Sequence, residues 1–177
     1  MKRIILLTII LAFFMGGIPA ISAAESPKIG VINFEKIMRE SSAGKMNQKT
    51  LNDRGQALKE KLDKEKQALD ELGRSFEKEA LVLSDEKKRE RERDFRNQVE
   101  DFRIKQQEYA NEMKNLEIKM VNDMQKAVFD LANELGKKEN YLMILERKNA
   151  GVIYIPDQVD ITDLIIQKYN AITAKGS

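Results

Sequence analysis

The chain has 177 residues, of which 34% are charged, with 31 Lys and Arg against 29 Asp and Glu, and it contains no Cys, His or Trp. The lack of Cys rules out disulfides and thiol chemistry, and the lack of His removes the commonest general base and transition-metal ligand. The nearly balanced charge argues against nucleic-acid binding, which usually requires a basic excess.

The first 24 residues have the order of a secretory signal. Lys2 and Arg3 precede an apolar run over 4–15, and the small residues at 22–24 follow it. A membrane anchor is the alternative, but the run is shorter than the roughly 20 residues of a span. We therefore expect cleavage after Ala24 and export to the periplasm. Cleavage leaves 153 of the 177 residues and takes Lys plus Arg from 31 to 29, so that the mature chain is formally neutral.

The segment 25–42 contains signals for a strand and a short helix. Residues 29–34 are rich in β-branched side chains, which favour a strand. Asn33 is a suitable cap for a short helix over 35–40, and Ser41 or Ser42 for the helix that follows.

A single helical stretch, 43–138, carries more than half of the sequence. It has no Pro and is filled with strong helix formers. Its apolar residues recur at alternating spacings of three and four, which places them in a narrow stripe on a charged rod. The stripe is interrupted at 80–84, where Ser84 and two acidic residues resemble a helix start. We predict a long antiparallel helical hairpin, a coiled-coil tentacle, with its tip near Leu81.

The segment 139–177 is predicted to hold a β-hairpin and a last helix. The apolar run over 141–146 is typical of a buried strand, Asn149-Ala150-Gly151 of a turn, and 152–155 of a second strand. An amphipathic helix begins near Asp160. Together with the first strand these elements form a small body at the base of the tentacle, so the predicted fold is α+β and mostly α.

The predicted body is too small to be stable alone. Three short strands make a poor core, and their continuous apolar character requires cover on both faces. We therefore predict an obligate homo-oligomer built on this body. Its oligomerisation residues are predicted to be Ile29, Val31, Ile32, Leu142, Ile144, Val152 and Ile153.

Several segments, in this order along the mature chain, carry a resemblance to a known family. They are the strand over 29–34 leading into 40–45, the charged hairpin, the run 141–145 followed by 151–154, then 159–163, and Tyr169-Asn170. Together they resemble the Skp/OmpH family of periplasmic chaperones for outer-membrane proteins. The resemblance implies a homotrimer whose strands join in one β-rich body, with three tentacles around a cavity for an unfolded barrel protein. Many members of that family are strongly basic, whereas this mature chain is neutral.

The apolar stripe of the hairpin has two interpretations. Its aromatic and Met side chains are suited to adaptable contacts with many unfolded chains, because Met is flexible and polarizable. Alternatively, they only hold one helix against the other, as stripes at helical spacing usually do. The candidate client-binding residues are Phe76, Phe95, Phe102, Tyr109, Met113, Met120 and Met124.

The charged residues of the hairpin predict no active site. From Asp85 to Lys105 there are eight Lys or Arg and seven Asp or Glu, a pattern typical of a solvated helix face. No calcium-loop or nucleotide-binding pattern occurs, and carboxylates along a rod have no pocket to perturb their pKa. We therefore predict no enzyme activity, no catalytic residue, no cofactor and no metal.

The resemblance implies a chaperone for unfolded outer-membrane β-barrel proteins, and the lack of a nucleotide-binding pattern fits a holdase that prevents their aggregation without ATP. The alternative is a structural coiled-coil spacer or adaptor that holds one folded partner in the periplasm. Residues 81–83, which are apolar and followed by basic residues, leave open a contact between the tip and a membrane surface.

Overall fold

The structure is a computed structural model that describes residues 27–174; the predicted secretory signal at 1–24 lies outside the described residues. The elements in chain order are β1 (Ile29–Ile32), α1 (Phe34–Glu40), α2 (Ser42–Glu79), α3 (Asp85–Lys138), β2 (Met143–Glu146), a 3-10 turn (Asp157–Val159) and α4 (Thr162–Thr173). The prediction of an α+β fold that is mostly helical is confirmed.

Short polar side chains begin the first two helices, as predicted. The Asn33 side-chain oxygen accepts a hydrogen bond from the backbone N–H of Lys36 at 3.0 Å and caps α1. Of the two candidate serines, Ser41 caps α2, because its hydroxyl accepts from the N–H of Gly44 at 3.1 Å. Both bonds satisfy N–H groups that a helix start leaves without intrahelical partners.

The root of α2 is tightly held by the elements around it. Gly44 packs so closely on the end of α1 that a Cβ at this position would overlap the carbonyl oxygen of Met38. The N–H of Ser42 donates to the side-chain oxygen of Asn170 in α4 at 2.8 Å. The direction in which α2 leaves the body is therefore fixed by α1 and α4 together.

Helices α2 and α3 lie side by side and run in opposite directions. Ion pairs join Arg54 to Glu112, Glu65 to Lys105 and Glu79 to Arg91. Residues further along α2 therefore pair with residues earlier in α3. The connection over 80–84 exposes Leu81 and Val82. At 1.5 Å per residue, the two helices are roughly 57 and 81 Å long. We call α2, the connection and the facing part of α3 the arm.

The core of the body joins segments that are far apart in the sequence. It is formed by β1, α1, the last four turns of α3 and α4, and its edge includes an edge-to-face contact between the rings of Phe34 and Phe129 at 6.2 Å. Its buried apolar residues are Ile32, Phe34, Ile37, Met124, Val128, Leu131, Ala132, Leu135, Ile161, Ile165 and Tyr169.

The sheet of the described residues has two parallel strands. β1 pairs with β2 in a register that runs from Ile29 opposite Met143 to Ile32 opposite Glu146. On the other side of β1, Val31 forms an isolated bridge with Asp160, just before α4. The N-terminal and C-terminal segments therefore meet at the root of the arm.

The predicted β-hairpin at 141–155 is wrong, because residues 152–155 form no strand in the described part of the chain. The carbonyl of Glu146 accepts from the N–H of Ala150 at 2.9 Å, and its side chain accepts from the N–H of Asn149 at 2.7 Å. These bonds make a wide, helix-like turn in place of the two-residue turn that folds a strand back on itself. The chain leaves this turn at Gly151, whose φ is 64°, and does not return along β2.

Candidate functional site

The inner seam of the arm brings most of the predicted client-binding residues between its two helices. Two glycines of α2 face large side chains of α3 at ordinary contact distances: a Cβ on Gly73 would lie 3.4 Å from the Phe95 ring, and one on Gly55 would lie 3.7 Å from the Met113 methyl group. Six of the seven predicted residues are half-buried in or beside this seam: Phe76, Phe95, Phe102, Tyr109, Met113 and Met120.

The seventh residue, Met124, lies elsewhere. It is only 4% exposed and belongs to the core of the body. Its burial among apolar side chains leaves it a packing role, so it is not available to a client on the surface of this chain.

The seam is not fully closed. A groove of about 440 Å³ runs along one side of the arm, with Leu58 and Leu62 of α2 on one wall and Phe102, Tyr109 and Met113 of α3 on the other. Leu58 itself is buried. The seam residues thus hold the helices together and also present part of their surface to the solvent.

Exposed ion pairs cross the arm and set its register. Lys105 donates to Glu65 at 3.1 Å, and this carboxylate raises the pKa of Lys105. Arg91 lies 3.6 Å from Glu79 near the tip. Such exposed pairs contribute little to stability, but they place opposite charges next to each other along the rod.

The outward face of α3 carries a surface that the sequence analysis did not single out. At 3.6 residues per turn, ten positions between 104 and 136 fall in a sector of roughly 80° directly opposite the seam. None of these ten positions carries a charged residue, although the full range of 33 residues contains ten charged residues. We call these ten residues the amide stripe: Ile104, Gln107, Asn111, Asn115, Ile118, Asn122, Gln125, Phe129, Asn133 and Gly136.

The corresponding face of α2 has the opposite composition. Eight of its ten outward positions are charged, and the two others are glutamines: Lys45, Lys49, Asp53, Gln56, Glu60, Asp63, Gln67, Glu71, Arg74 and Lys78. The amide stripe is therefore specific to one helix. A helical projection of α3 from the side opposite the seam would have found it in the sequence.

The predicted body residues are only partly brought together. Ile29, Val31, Ile32 and Ile144 lie in the two paired strands, with Leu142 exposed just before β2. Val152 and Ile153 are outside the sheet, and Ile153 is 92% exposed. The apolar surface of the body is thus incompletely covered within one chain.

Three ion pairs tie the surface of the body together. The Lys28 ammonium lies 3.0 Å from Glu139 and 4.0 Å from the centre of the Tyr141 ring, and the hydrogen bond to Glu139 raises the pKa of Lys28. Lys148 donates to Glu35 at 2.6 Å, which lowers the pKa of Glu35 and raises that of Lys148.

The third pair joins the short helix α1 to the last helix. Lys36 donates to Asp163 at 2.6 Å, and this bond raises the pKa of Lys36. All three ion pairs hold different parts of the body together. None of them lies beside a nucleophile or beside a second acid whose pKa is shifted.

Residues 27–174 hold neither a cluster of metal-binding side chains nor a helix that could span a membrane. In that range no group of three or more Asp or Glu side chains is arranged to hold a metal ion. No helix of the same range is long and apolar enough to cross a membrane.

The chain matches the model of one protein family and is similar in fold to a solved structure. A family model described as "Outer membrane protein (OmpH-like)" matches residues 28–169. The fold is similar to the crystal structure, at 2.83 Å resolution, of an OmpH-like protein from Caulobacter crescentus CB15 that is named as a candidate outer membrane chaperone. The TM-score is 0.77 at 16% identity, over 83% of this chain and 86% of that one. No curated protein matches the sequence.

Proposed function

The chain belongs to the OmpH-like family of outer membrane proteins, and from this premise we propose that it is an ATP-independent holdase chaperone of the periplasm. It binds unfolded outer-membrane β-barrel proteins and keeps them from aggregating on their way to the outer membrane. The predicted secretory signal over 1–24 delivers it there. The division predicted from the sequence, a body of 25–42 and 139–177 with a tentacle of 43–138, is proposed with one change: the last four turns of α3 belong to the body, and the rest of 43–138 is the arm.

The observation that carries this proposal is the arm itself. It is a long pair of helices that projects from an anchored body and presents a partly open seam of aromatic, Leu and Met side chains. An unfolded barrel strand alternates apolar and polar residues and exposes its lipid-facing side chains to water. Many weak contacts of the kind that Met and aromatic side chains provide suit such a client, and binding of this kind needs no chemical step. The six half-buried seam residues are proposed as client contacts, without Met124.

We further propose that the working form is a homotrimer, as the family resemblance implies. The two-stranded sheet and the exposed side chains of Leu142, Ile153 and Tyr154 support a body that other copies complete. Several arms around one cavity separate a client from other clients, so that strand edges of different chains do not pair.

A second contact is proposed at the arm tip. Leu81 and Val82 are 86% and 85% exposed, and Lys87 and Lys88 follow them. Apolar side chains next to basic ones are typical of segments that rest on an anionic membrane surface. Such a contact would bring a loaded chaperone to the membrane that receives the client.

The proposed function is tested with the mature protein and two unrelated outer-membrane barrels, each unfolded in urea. Size-exclusion chromatography with light scattering is run on the protein alone and after dilution of each barrel into it. We expect one defined complex with each barrel, at similar affinity, and suppression of the turbidity that the barrels develop alone. A stable oligomer that leaves both barrels to aggregate would establish the spacer instead.

A further inference from the structure

We propose that the amide stripe of α3 binds the extended main chain of the unfolded client. This inference rests on the proposed holdase function and deepens it, because it assigns a recognition surface outside the seam. The occupant is a stretch of unfolded polypeptide, recognised by its peptide groups more than by its side chains.

The geometry of the stripe suits an extended chain. Its ten positions span 33 residues of α3, which is roughly 48 Å at 1.5 Å per residue. About 14 residues of extended polypeptide cover the same length. Most of the ten residues are exposed, and the Gln107 amide donates to the Asn111 side chain at 3.3 Å, in line with the helix axis.

The chemistry of the stripe matches peptide groups. Six of its ten residues are Asn or Gln, whereas only one Asn or Gln lies among the other 23 residues of the range. Each amide side chain offers both donors and an acceptor, as each peptide group does. Since every client has the same main chain, such bonds are tolerant of sequence. Ile104, Ile118 and Phe129 add apolar contacts at intervals for the alternating side chains of a barrel strand.

The lack of charge along the stripe is what allows this mode of binding. Side chains with a formal charge would have to give up water when a polypeptide covers them, at a large cost if they stay unpaired. The outward face of α2, with eight charges in ten positions, would impose that cost along its whole length. The stripe avoids the cost and also discriminates neither for nor against acidic or basic clients.

A permanent contact with a second copy fits this surface less well. A stable helix–helix seam needs apolar residues at nearly all of its inward positions, as in coiled coils. The stripe has only three large apolar residues in ten positions, too few to keep two helices together. Its lower end leads into a groove of about 420 Å³ beside the sheet, lined by Phe129, Asn133, Leu142 and Met143, which gives the client a further apolar contact.

The test places charges of either sign on the stripe of the mature protein. Asn115 and Asn122, both exposed, are changed together to Glu in one variant and to Lys in another. The matched controls carry the same changes at Gln56 and Gln67, which are exposed on the outward face of α2. Affinity is measured for two urea-unfolded outer-membrane barrels, one acidic and one basic, and circular dichroism and light scattering verify helix content and mass.

We expect both stripe variants to bind both barrels more weakly, by about tenfold, which corresponds to one or two lost net hydrogen bonds. The α2 controls should stay within about twofold of the wild type, since two charges added to an already charged face change little.

Three results would overturn the inference while leaving the holdase function intact. Stripe variants that bind like the α2 controls would show that the client does not use this face. Effects of opposite sign for the acidic and the basic barrel would show charge attraction in place of amide recognition. A stripe variant of lower mass without client would show that a second copy occupies the stripe. If the wild type itself binds neither barrel, the proposed function fails and the inference falls with it.

Discussion

Tyr169 is one of the buried residues in the core of the body, and the pKa of its phenol makes its contribution to stability measurable. Only 7% of its surface is exposed, and burial raises the pKa of its phenol above the usual 10.0. The folded protein therefore favours the neutral phenol. Its contribution to stability is complete below the pKa of the unfolded chain, near 10, and is lost as the pH rises from there through the higher pKa of the folded state.

We expect Tyr169→Phe to flatten the alkaline loss of stability. Phe keeps the ring in the core and removes the ionisable group, so the free energy of unfolding should fall less steeply above about pH 10 than in the wild type. The measurement is urea unfolding followed by circular dichroism between pH 7 and 11. Ile165→Val is the control, because it alters the same core at a fully buried side chain and removes no ionisable group, so its curve should run parallel to that of the wild type. Parallel pH profiles for Tyr169→Phe and the wild type would contradict the account.

The elements that the sequence predicted correctly are those set by local chemistry. Asn33 and Ser41 cap their helices through bonds to residues three positions further on, and β1 lies where β-branched residues cluster. The break between α2 and α3 also occurs at the predicted interruption of the apolar stripe, but Ser84 makes no side-chain hydrogen bond to the start of α3. Local spacing is sufficient to predict the two caps because the bonded groups lie within one turn of the helix.

The features that the sequence analysis missed depend on distant partners or on a second face. Residues 152–155 have the composition of a strand, but the turn closed by Glu146 directs them away from β2. Met124 has the spacing of the seam, but the helices of the body bury it. The amide stripe escaped notice because apolar periodicity marks only the inward face of α3, and an uncharged polar face has no such signal.

The arm tip is an element on its own, and we expect it to determine binding to anionic vesicles. Leu81→Ser combined with Val82→Ser removes the two most exposed apolar side chains of the tip. Because transfer of such a side chain from water contributes about 1.5 to 3 kcal/mol when complete, vesicle affinity should fall by about tenfold or more. Co-sedimentation with vesicles that contain phosphatidylglycerol measures this, at several salt concentrations.

The control for the tip is Met46→Ser, an exposed apolar residue at the root of the arm, which should leave vesicle binding unchanged. Binding of the wild type should weaken as salt screens the basic residues behind the tip. Vesicle binding that is equal in the tip variant and the wild type would exclude the tip as the membrane contact.

In a single chain, the body has a sheet of only two strands and leaves several apolar side chains exposed to solvent. Two parallel strands are marginal as a sheet, and parallel strands are normally covered on both faces. Residues 152–155 form no strand in the described part of the chain; the N–H of Val152 donates to the carbonyl of Arg147 at 3.0 Å, and Ile153 and Tyr154 are 92% and 81% exposed. The outer edge of β2 likewise carries no further strand of the described residues. An open sheet edge and a strand-like segment outside the sheet, on the same body, are complementary surfaces for copies of one chain.

We therefore expect assembly to depend on this segment. Ile153→Lys places a charge in the apolar strand-like segment, where a neighbouring copy would have to bury it, so the proposed trimer should dissociate to monomers at micromolar concentration. Light scattering after size-exclusion chromatography measures the mass. Val82→Lys is the matched control, since Val82 is similarly exposed but lies at the far end of the arm, and its mass should equal that of the wild type. A wild type that is already monomeric, or an Ile153→Lys variant of unchanged mass, would refute this mode of assembly. In the proposed mechanism the client is held between several arms, so client binding should be lost when the proposed trimer dissociates.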